Sequence, residues 1–157
     1  MKREDFNQLT YFRISEKNHK GNFIFNAETL KNTDIKSLLF LDRLRDFIKF
    51  PIIIHCTYQD GGHSKYSQHY KKPSSAVDFH IETKMPFIQQ IKIVLAMIEN
   101  LDFENITGLG IYPDWKHKGF HLDFRGSAAR WGAMNTDGEQ KYFSFNYILD
   151  KIINNEV

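Results

Sequence analysis

The sequence predicts an α+β fold in which a small, mostly antiparallel sheet is flanked by helices. Short segments in which apolar and polar residues alternate predict strands, and longer segments with an apolar residue at every third or fourth position predict helices. The 157 residues contain no repeat, no low-complexity tract and no linker. We therefore expect a single domain over residues 1–157 with one core, to which many of the 14 phenylalanines contribute.

Three segments have the periodicity of helices. The chain begins with a mixed, poorly periodic arm over residues 1 to about 32. The first predicted helix follows at residues 34 to about 49, with Thr33 as its N-cap. A second helix is predicted at residues 86–100 and a last one at roughly residues 143–153.

Four segments are predicted strands, at residues 52–58, 76–82, 106–112 and 120–125. The first is a continuous apolar run, which favours a buried strand, and the third contains glycine. The second and fourth alternate strictly. Successive side chains of a strand point to opposite faces, so each of these two strands has one apolar face and one polar face.

The two polar faces each carry a histidine and at least one carboxylate. Their side chains are Asp78, His80, Glu82, His121, Asp123 and Arg125. If the two strands are neighbours, a histidine from the preceding loop, such as His69, would complete a set of two imidazoles and one carboxylate. Catalytic zinc sites use three such protein ligands and keep an open position. The alternation is equally compatible with a solvated sheet face.

Composition excludes some classes of function. A net charge of +2 gives no field that would favour nucleic acid or membrane binding. No apolar run approaches the length of a membrane span, and the opening residues lack the apolar core of a signal peptide. The single cysteine, Cys56, excludes an intrachain disulfide and is expected to be a buried small hydrophobe. We expect a monomer made in the cytoplasm.

Two ordered motifs resemble a known family. "GGHSKYSQH" contains Ser-x-His at 67–69, and "AVD" supplies Ala-x-Asp at 76–78. "GLGIYPDWKHKGFHLDFRGSAARWG" then contains Gly-x-Gly-x-Tyr-Pro at 108–113, His-x-Asp-x-Arg-Gly at 121–126 and Ala-Arg-Trp at 129–131. In this order and separation, the motifs are similar to those of the D-Ala-D-Ala metallopeptidase superfamily, peptidase M15.

The resemblance covers about residues 35–132 and implies a zinc peptidase that cuts peptidoglycan stem peptides or cross-links. The implied fold is a small antiparallel sheet flanked by helices, shared with the hedgehog signalling domain. Carried over by position, His69, Asp78 and His121 would be the zinc ligands. A carboxypeptidase or endolysin-like enzyme without a signal peptide would reach the cell wall or periplasm through lysis, a virion or non-classical export.

The catalytic base is left open between two residues. Several relatives have the base shortly before the last ligand, where this chain has Lys118. Asp123 is the first candidate, either near the water or as the group that orients a ligand imidazole. His117, on the preceding loop, is the second candidate, with a solvated loop residue as its alternative.

Two residues are expected to bind substrate. Arg125 could hold a stem-peptide carboxylate or form a salt bridge to Asp123 or Asp78. Ser67 could contact substrate or cap the turn that positions His69. Trp131 could line the cleft or be buried.

The remaining histidines have plainer expectations. His80 competes as a ligand through its place on the strand face of Asp78, and His63 is expected in the loop near the cleft. His55 is expected to be a hydrogen-bonded core residue, and His19 a surface residue.

The chain departs from the family pattern, and the altered spacing and a missing arginine support a rival function. His69 and Asp78 are nine residues apart where seven is usual, and Ser74 replaces a glycine. No arginine lies between Arg45 and Arg125, although many relatives have one after the preceding strand. The alternative is a catalytically weak or inactive zinc-containing binding module of the same fold. A scaffold without metal is a third reading.

Overall fold

A computed structural model of the chain describes residues 1–18, 20–61 and 66–157. It confirms the α+β class: helices flank a six-stranded, mostly antiparallel sheet. The strands are β1 (Ile52–Cys56), β2 (Val77–Ile81), β3 (Gly108–Tyr112), β4 (Gly119–Asp123), β5 (Ala129–Thr136) and β6 (Glu139–Ser144). The α-helices are α1 (Ala27–Asn32), α2 (Lys36–Ile48), α3 (Phe87–Asn100) and α4 (Phe145–Ile153).

The strand order is β1-β2-β4-β3-β5-β6. Neighbouring strands are antiparallel except β3 and β5, which are parallel. The two strands with alternating polarity, β2 and β4, are adjacent, as the metal hypothesis requires. Their register places Asp78 directly opposite His121, so the two side chains rise from the same face of the sheet.

The apolar face of β2 and β4 forms the centre of the core. Val77 and Phe79 of β2, together with Phe120 and Leu122 of β4, are fully buried. The Phe79 and Phe120 rings stack with centroids 5.2 Å apart. Apolar side chains of α2 and α3 complete the same cluster: Leu38, Leu41, Leu44, Ile91, Val94 and Ile98. The apolar stripes of these helices are thereby buried.

The N-terminal region contains more regular structure than the sequence indicated. A 3-10 helix spans Arg3–Gln8, and α1 is capped by Asn26, whose side chain accepts hydrogen bonds from two backbone amides of the first turn. Thr33 ends α1 and does not cap α2, which begins at Lys36 after Ile35. The prediction of Thr33 as N-cap was therefore wrong. Its backbone instead forms an isolated parallel bridge with Ser74.

The β5–β6 hairpin was not predicted. Its turn is Asp137-Gly138, with φ of 56° and 84°, the combination that a two-residue hairpin turn requires. The Asp-Gly pair was a signal for it. Because β6 continues to Ser144, the last helix begins at Phe145 and not at 143. The Ser144 side chain caps it by accepting from the Tyr147 amide.

Among the described residues, no helix has the length and apolar character needed to cross a membrane.

Candidate metal centre

Three side chains converge where β2 and β4 face the loop before β2. The Asp78 Oδ1 atom lies 2.9 Å from His121 Nδ1 and 3.2 Å from His69 Nε2. The two imidazole nitrogens are 3.2 Å apart. Ligands about 2.0 Å from a tetrahedral zinc ion are separated by about 3.3 Å. The three atoms therefore have the spacing of zinc ligands, and a shared proton can also span such distances.

His69 is held in place by the backbone around it. It lies in a 3-10 helix, Gln68–Tyr70, whose N-cap Ser67 accepts a hydrogen bond from the His69 amide. The His69 Nδ1 atom donates to the carbonyl oxygen of Thr57 at the end of β1. This hydrogen bond occupies Nδ1 and turns Nε2 toward Asp78 and His121, so that loss of the Nε2 proton would present its lone pair there, as a metal ligand requires.

His121 is oriented from its other side by Asp123. The His121 Nε2 atom lies 2.8 Å from Asp123 Oδ2, and Asp123 is fully buried. Arg125 donates two hydrogen bonds to the same carboxylate, from Nε at 2.8 Å and from Nη2 at 2.5 Å. An imidazole whose distal N–H donates to a buried carboxylate is a common outer arrangement of metal sites.

Burial and charge act against each other in this cluster. Burial disfavours protonated His69, but the negative charge of Asp78 and its hydrogen bond outweigh burial and raise the pKa of His69 to about 10. Burial likewise opposes protonation of His121, whereas hydrogen bonds to Asp123 and Asp78 raise its pKa to about 9.

The carboxylates shift in the opposite direction. Burial favours the neutral form of Asp78, yet the two histidines hold its pKa far below the ordinary range. Burial also opposes ionisation of Asp123, but hydrogen bonds from Arg125 and His121 lower its pKa to about 2. Without metal, the centre is thus two ionised carboxylates that retain protons on two imidazoles.

A cleft of about 460 Å³ opens above the three side chains. Its walls include Tyr112, Arg125 and Trp131. The Trp131 indole Nε1 donates to the Tyr112 hydroxyl at 3.2 Å, and the Arg125 guanidinium lies over the Trp131 ring, 4.9 Å from its centroid. Burial raises the pKa of Tyr112, with a further contribution from Asp78. The Tyr112 hydroxyl therefore remains a hydrogen-bond donor at neutral pH.

The two glycines of β3 make room for these walls. A Cβ atom on Gly110 would lie 2.7 Å from the indole of Trp131, and one on Gly108 would lie 2.6 Å from both Arg125 Nε and Asp123 Oδ2. Both distances are too short for any side chain. The Gly-x-Gly pattern of the sequence thus lets the cleft wall and the Asp123–Arg125 pair lie flat on the sheet.

Cys56 is half-buried and has polar contacts, so the expectation of a buried small hydrophobe was wrong. Its Sγ lies 3.1 Å from Gln59 Oε1 and 3.7 Å from His69 Nδ1. Together Cys56, His69 and Asp78 offer ligand atoms within 4.8 Å of one another. The thiol faces the ring nitrogen that is bonded to Thr57, whereas Asp78 and His121 face the other nitrogen.

A second group of potential ligands lies further along β2. His80, Glu82 and His117 offer ligand atoms that are all within 4.8 Å of one another. His117, the second candidate for the base, is placed here, with its ring stacked on His80 at a centroid distance of 4.6 Å. His80, the competing ligand of the sequence analysis, also belongs to this group. His55 is half-buried and its Nε2 atom lies 2.8 Å from His80 Nδ1.

Contacts in the structure distinguish between the alternatives for Ser67, Arg125 and Trp131. Ser67 takes the capping role and also lines the cleft. Arg125 forms the salt bridge to Asp123 and lines the cleft as well. Trp131 is half-buried in the cleft wall. His19 and His63 lie outside the described residues. The Thr57 carbonyl, which orients His69, has no signal in the sequence because any residue carries the same backbone group.

No family model matched the chain, and searches of curated proteins and of solved structures also found no match. The structure by itself supports the fold class and two groups of side chains that could bind metal, Cys56–His69–Asp78 and His80–Glu82–His117. Peptidase M15 membership, the hedgehog-like fold and the enzymatic activity stay predictions.

Proposed function

We propose that the protein is a zinc-dependent peptidase that hydrolyses amide bonds in peptidoglycan stem peptides or cross-links. The observation that carries the proposal is the convergence of His69 Nε2, Asp78 Oδ1 and His121 Nδ1 within 3.2 Å of one another at the base of an open cleft. The motif resemblance to peptidase M15 names the same three residues and the substrate class.

The donor set fits zinc. Two imidazole nitrogens and one carboxylate oxygen are ligands that zinc accepts, and three protein ligands leave one position for water or substrate. The 8% exposure of Asp78 and 6% exposure of His121 are consistent with an opening toward the cleft. Zinc held there would supply Lewis acidity to an amide carbonyl and lower the pKa of a bound water to about 7.

The residues behind the ligands keep them in position. Arg125 holds Asp123 ionised, and Asp123 accepts the Nε2 proton of His121, so that the His121 Nδ1 lone pair points at the ligand set. In this role Asp123 is a positioning residue. Of the two readings left open for Asp123, orientation of a ligand imidazole is the one its contacts favour.

The cleft walls are suited to a peptide. The Tyr112 hydroxyl, held by the Trp131 indole, can donate to an oxygen on which negative charge develops. The exposed part of Arg125 can pair with a stem-peptide carboxylate while its other nitrogens stay on Asp123. Both side chains line the cleft above the three ligands.

The test is digestion of purified muropeptides by zinc-loaded protein, with products identified by mass spectrometry. We expect release of shortened stem peptides, loss of activity with chelator and recovery with zinc. His69→Ala and Asp78→Asn should each reduce the rate at least about 100-fold by removing a ligand. Glu99→Gln, an exposed carboxylate change on α3, is the matched control. A folded, zinc-loaded protein that releases no product from any muropeptide contradicts the proposal.

Besides the departures in motif spacing and the missing arginine, one further feature favours the binding-module alternative. Lys118 occupies the position at which several relatives have the base, and its Nζ donates to the carbonyl oxygen of Val157, 3.2 Å away. A centre without a base would hold zinc and yet turn over slowly. Cosedimentation with intact peptidoglycan, dependent on zinc but without product release, is the result that this alternative predicts.

A further inference from the structure

We propose that the protein has a second divalent-metal site, formed by His80 and Glu82 of the β2 segment and His117 of the β3–β4 loop. The cation is of the borderline class that includes zinc. Its role is to fasten the β3–β4 loop, residues 113–118, to β2. This inference goes beyond the proposed peptidase function and does not depend on it, because none of the three residues belongs to the first centre.

The ligand geometry comes from strand alternation plus one loop contact. His80 lies in β2 and Glu82 directly follows the end of that strand, two residues on, where an extended chain would place the two side chains on one side. His80 Nε2 is 3.1 Å from Glu82 Oε2. The His117 ring stacks on His80 with centroids 4.6 Å apart and planes inclined by 21°. A ligand atom of each residue lies within 4.8 Å of the others.

Only a small movement is needed for an ion to contact all three. An ion about 2.1 Å from each donor requires donors at most about 4.2 Å apart. The Glu82 side chain is 62% exposed, so its carboxylate can rotate toward the ion without disturbing the core. His80, by contrast, is 4% exposed and provides the fixed ligand.

His55 supplies an outer partner for the fixed ligand. Its Nε2 atom lies 2.8 Å from His80 Nδ1, a distance that requires a proton between the two nitrogens. When His80 Nδ1 carries that proton, its Nε2 lone pair faces Glu82 and the His117 side. Donation of the distal N–H to a neighbouring acceptor is what sets the tautomer of metal-ligating histidines. The opposite tautomer gives an ordinary His80–Glu82 hydrogen bond, and metal content distinguishes the two.

The chemistry of the donors selects the cation class. Two imidazoles and one carboxylate suit zinc, nickel or copper, whereas calcium and magnesium prefer oxygen ligands throughout. Two lysines flank His117 in the loop. The ammonium group of Lys118 donates to the Val157 carbonyl oxygen, and Lys116 is exposed. Solvent and this contact reduce their repulsion of a cation.

The site would fix one wall of the cleft. Trp115 lies in the same loop, stacks on Tyr112 with centroids 4.0 Å apart and lines the cleft above the first centre. It also contacts His55 edge-on at 6.3 Å. An ion bound by His117 would therefore tie the loop to β2 and hold the Trp115 ring in its place beside the cleft.

The experiment is a zinc count on protein stripped with chelator, reloaded with zinc and passed through gel filtration. With both centres filled, wild type should retain about two zinc ions per chain, and His117→Ala and Glu82→Gln about one each. His69→Ala should also retain about one, and the His69→Ala/His117→Ala double variant none. Lys116→Ala and Glu99→Gln, as loop and carboxylate controls, should match wild type. Circular dichroism checks that each variant is folded.

The outcomes separate the two centres. If wild type retains about one ion, and His69→Ala removes it while His117→Ala does not, the second site is overturned and the first stands. If His117→Ala removes the ion and His69→Ala does not, the second site stands and the proposed function fails. If folded His117→Ala and Glu82→Gln both retain the wild-type zinc content, the second site is likewise overturned.

Discussion

At the scale of the residue, the His121 imidazole contacts a different carboxylate through each of its two ring nitrogens. Its Nδ1 atom is 2.9 Å from Asp78 and its Nε2 atom 2.8 Å from Asp123. Burial opposes protonation of the ring, but hydrogen bonds to both carboxylates outweigh it and raise the pKa of His121 to about 9, so in metal-free protein the imidazole retains protons for each. A metal on the Asp78 side would displace one proton and leave the Asp123 hydrogen bond intact.

Asp123→Asn tests whether this residue orients the ligand or acts as the base. The amide of asparagine would accept the His121 proton less strongly than the carboxylate does, and it would lack the negative charge that pairs with Arg125. We therefore expect zinc affinity to fall about 10- to 100-fold. Titration against a coloured chelator measures the change. If affinity is unchanged and only turnover is lost, Asp123 is the base and the positioning role is wrong.

At the scale of the element, the packing of β5 against α4 requires a glycine. Gly132 faces α4, and a Cβ atom there would lie 2.3 Å from Ile148 Cγ1 and 2.7 Å from its Cβ. Ile148 is fully buried, so it has no space to move into. The close packing of α4 on the sheet thus requires glycine at this position.

Gly132→Ala should therefore destabilise the protein by about 1–3 kcal/mol, the usual effect of overpacking a core. Urea denaturation measures it. Asn135→Ala, at an exposed position of the same strand, is the control and should change the unfolding free energy by less than about 0.5 kcal/mol. Equal effects of the two substitutions would contradict the packing argument.

The strands differ in how well the sequence predicted them. The alternation of β2 and β4 predicted their faces, and both faces are as expected. The β5–β6 hairpin was missed although Asp137-Gly138 is a strong turn signal. The strand "ARWGAMNT" lacks strict alternation, and its burial follows from parallel pairing with β3 and from α4. Such long-range contacts leave little trace in local periodicity.

At the scale of the whole molecule, the metal-free centre links folding to pH. The pKa of His69 is raised to about 10 and that of His121 to about 9, from an ordinary 6.5. A group whose pKa is raised on folding stabilises the folded state fully at pH values below its pKa in the unfolded chain. This stabilisation is lost as the pH rises through its pKa in the folded chain. The pKa of Asp123 is lowered from 3.8 to about 2. Asp123 therefore stabilises the folded state at pH values above its ordinary pKa, and this stabilisation is lost as the pH falls toward 2.

Chelator-treated protein should therefore melt at a lower temperature at about pH 10 than at about pH 6.5. Asp78→Asn should reduce this difference, because the carboxylate that holds the histidine protons is gone. The stabilisation gained from added zinc should increase with pH over the same range, since the ligands must be deprotonated. Thermal melts followed by circular dichroism provide both measurements. A metal-free midpoint that rises toward alkaline pH would contradict the assignment.

The sequence by itself determined the fold class and some local facts: that four of the six segments described as strands are strands, and which side chains of β2 and β4 share a polar face. These depend on a backbone period of two, which neighbouring residues reveal. It also named His69, Asp78 and His121 as a set through motif order. The distances between the three side chains were decided by the tertiary structure. The β2–β4 register brings His121 to Asp78, 43 positions away in the chain, and the Thr57 carbonyl orients His69, which is 52 positions from His121.

The same reason explains why the surroundings of His117 could not be derived from the sequence. His117 is four residues before His121 in the chain, yet the β3–β4 loop turns it toward His80. Proximity along the chain indicates nothing about the direction of a loop, which depends on contacts such as Trp115 on Tyr112. Only the folded chain shows that the five histidines within the described ranges divide into two groups, because strand order and loop path are set by packing across the whole domain.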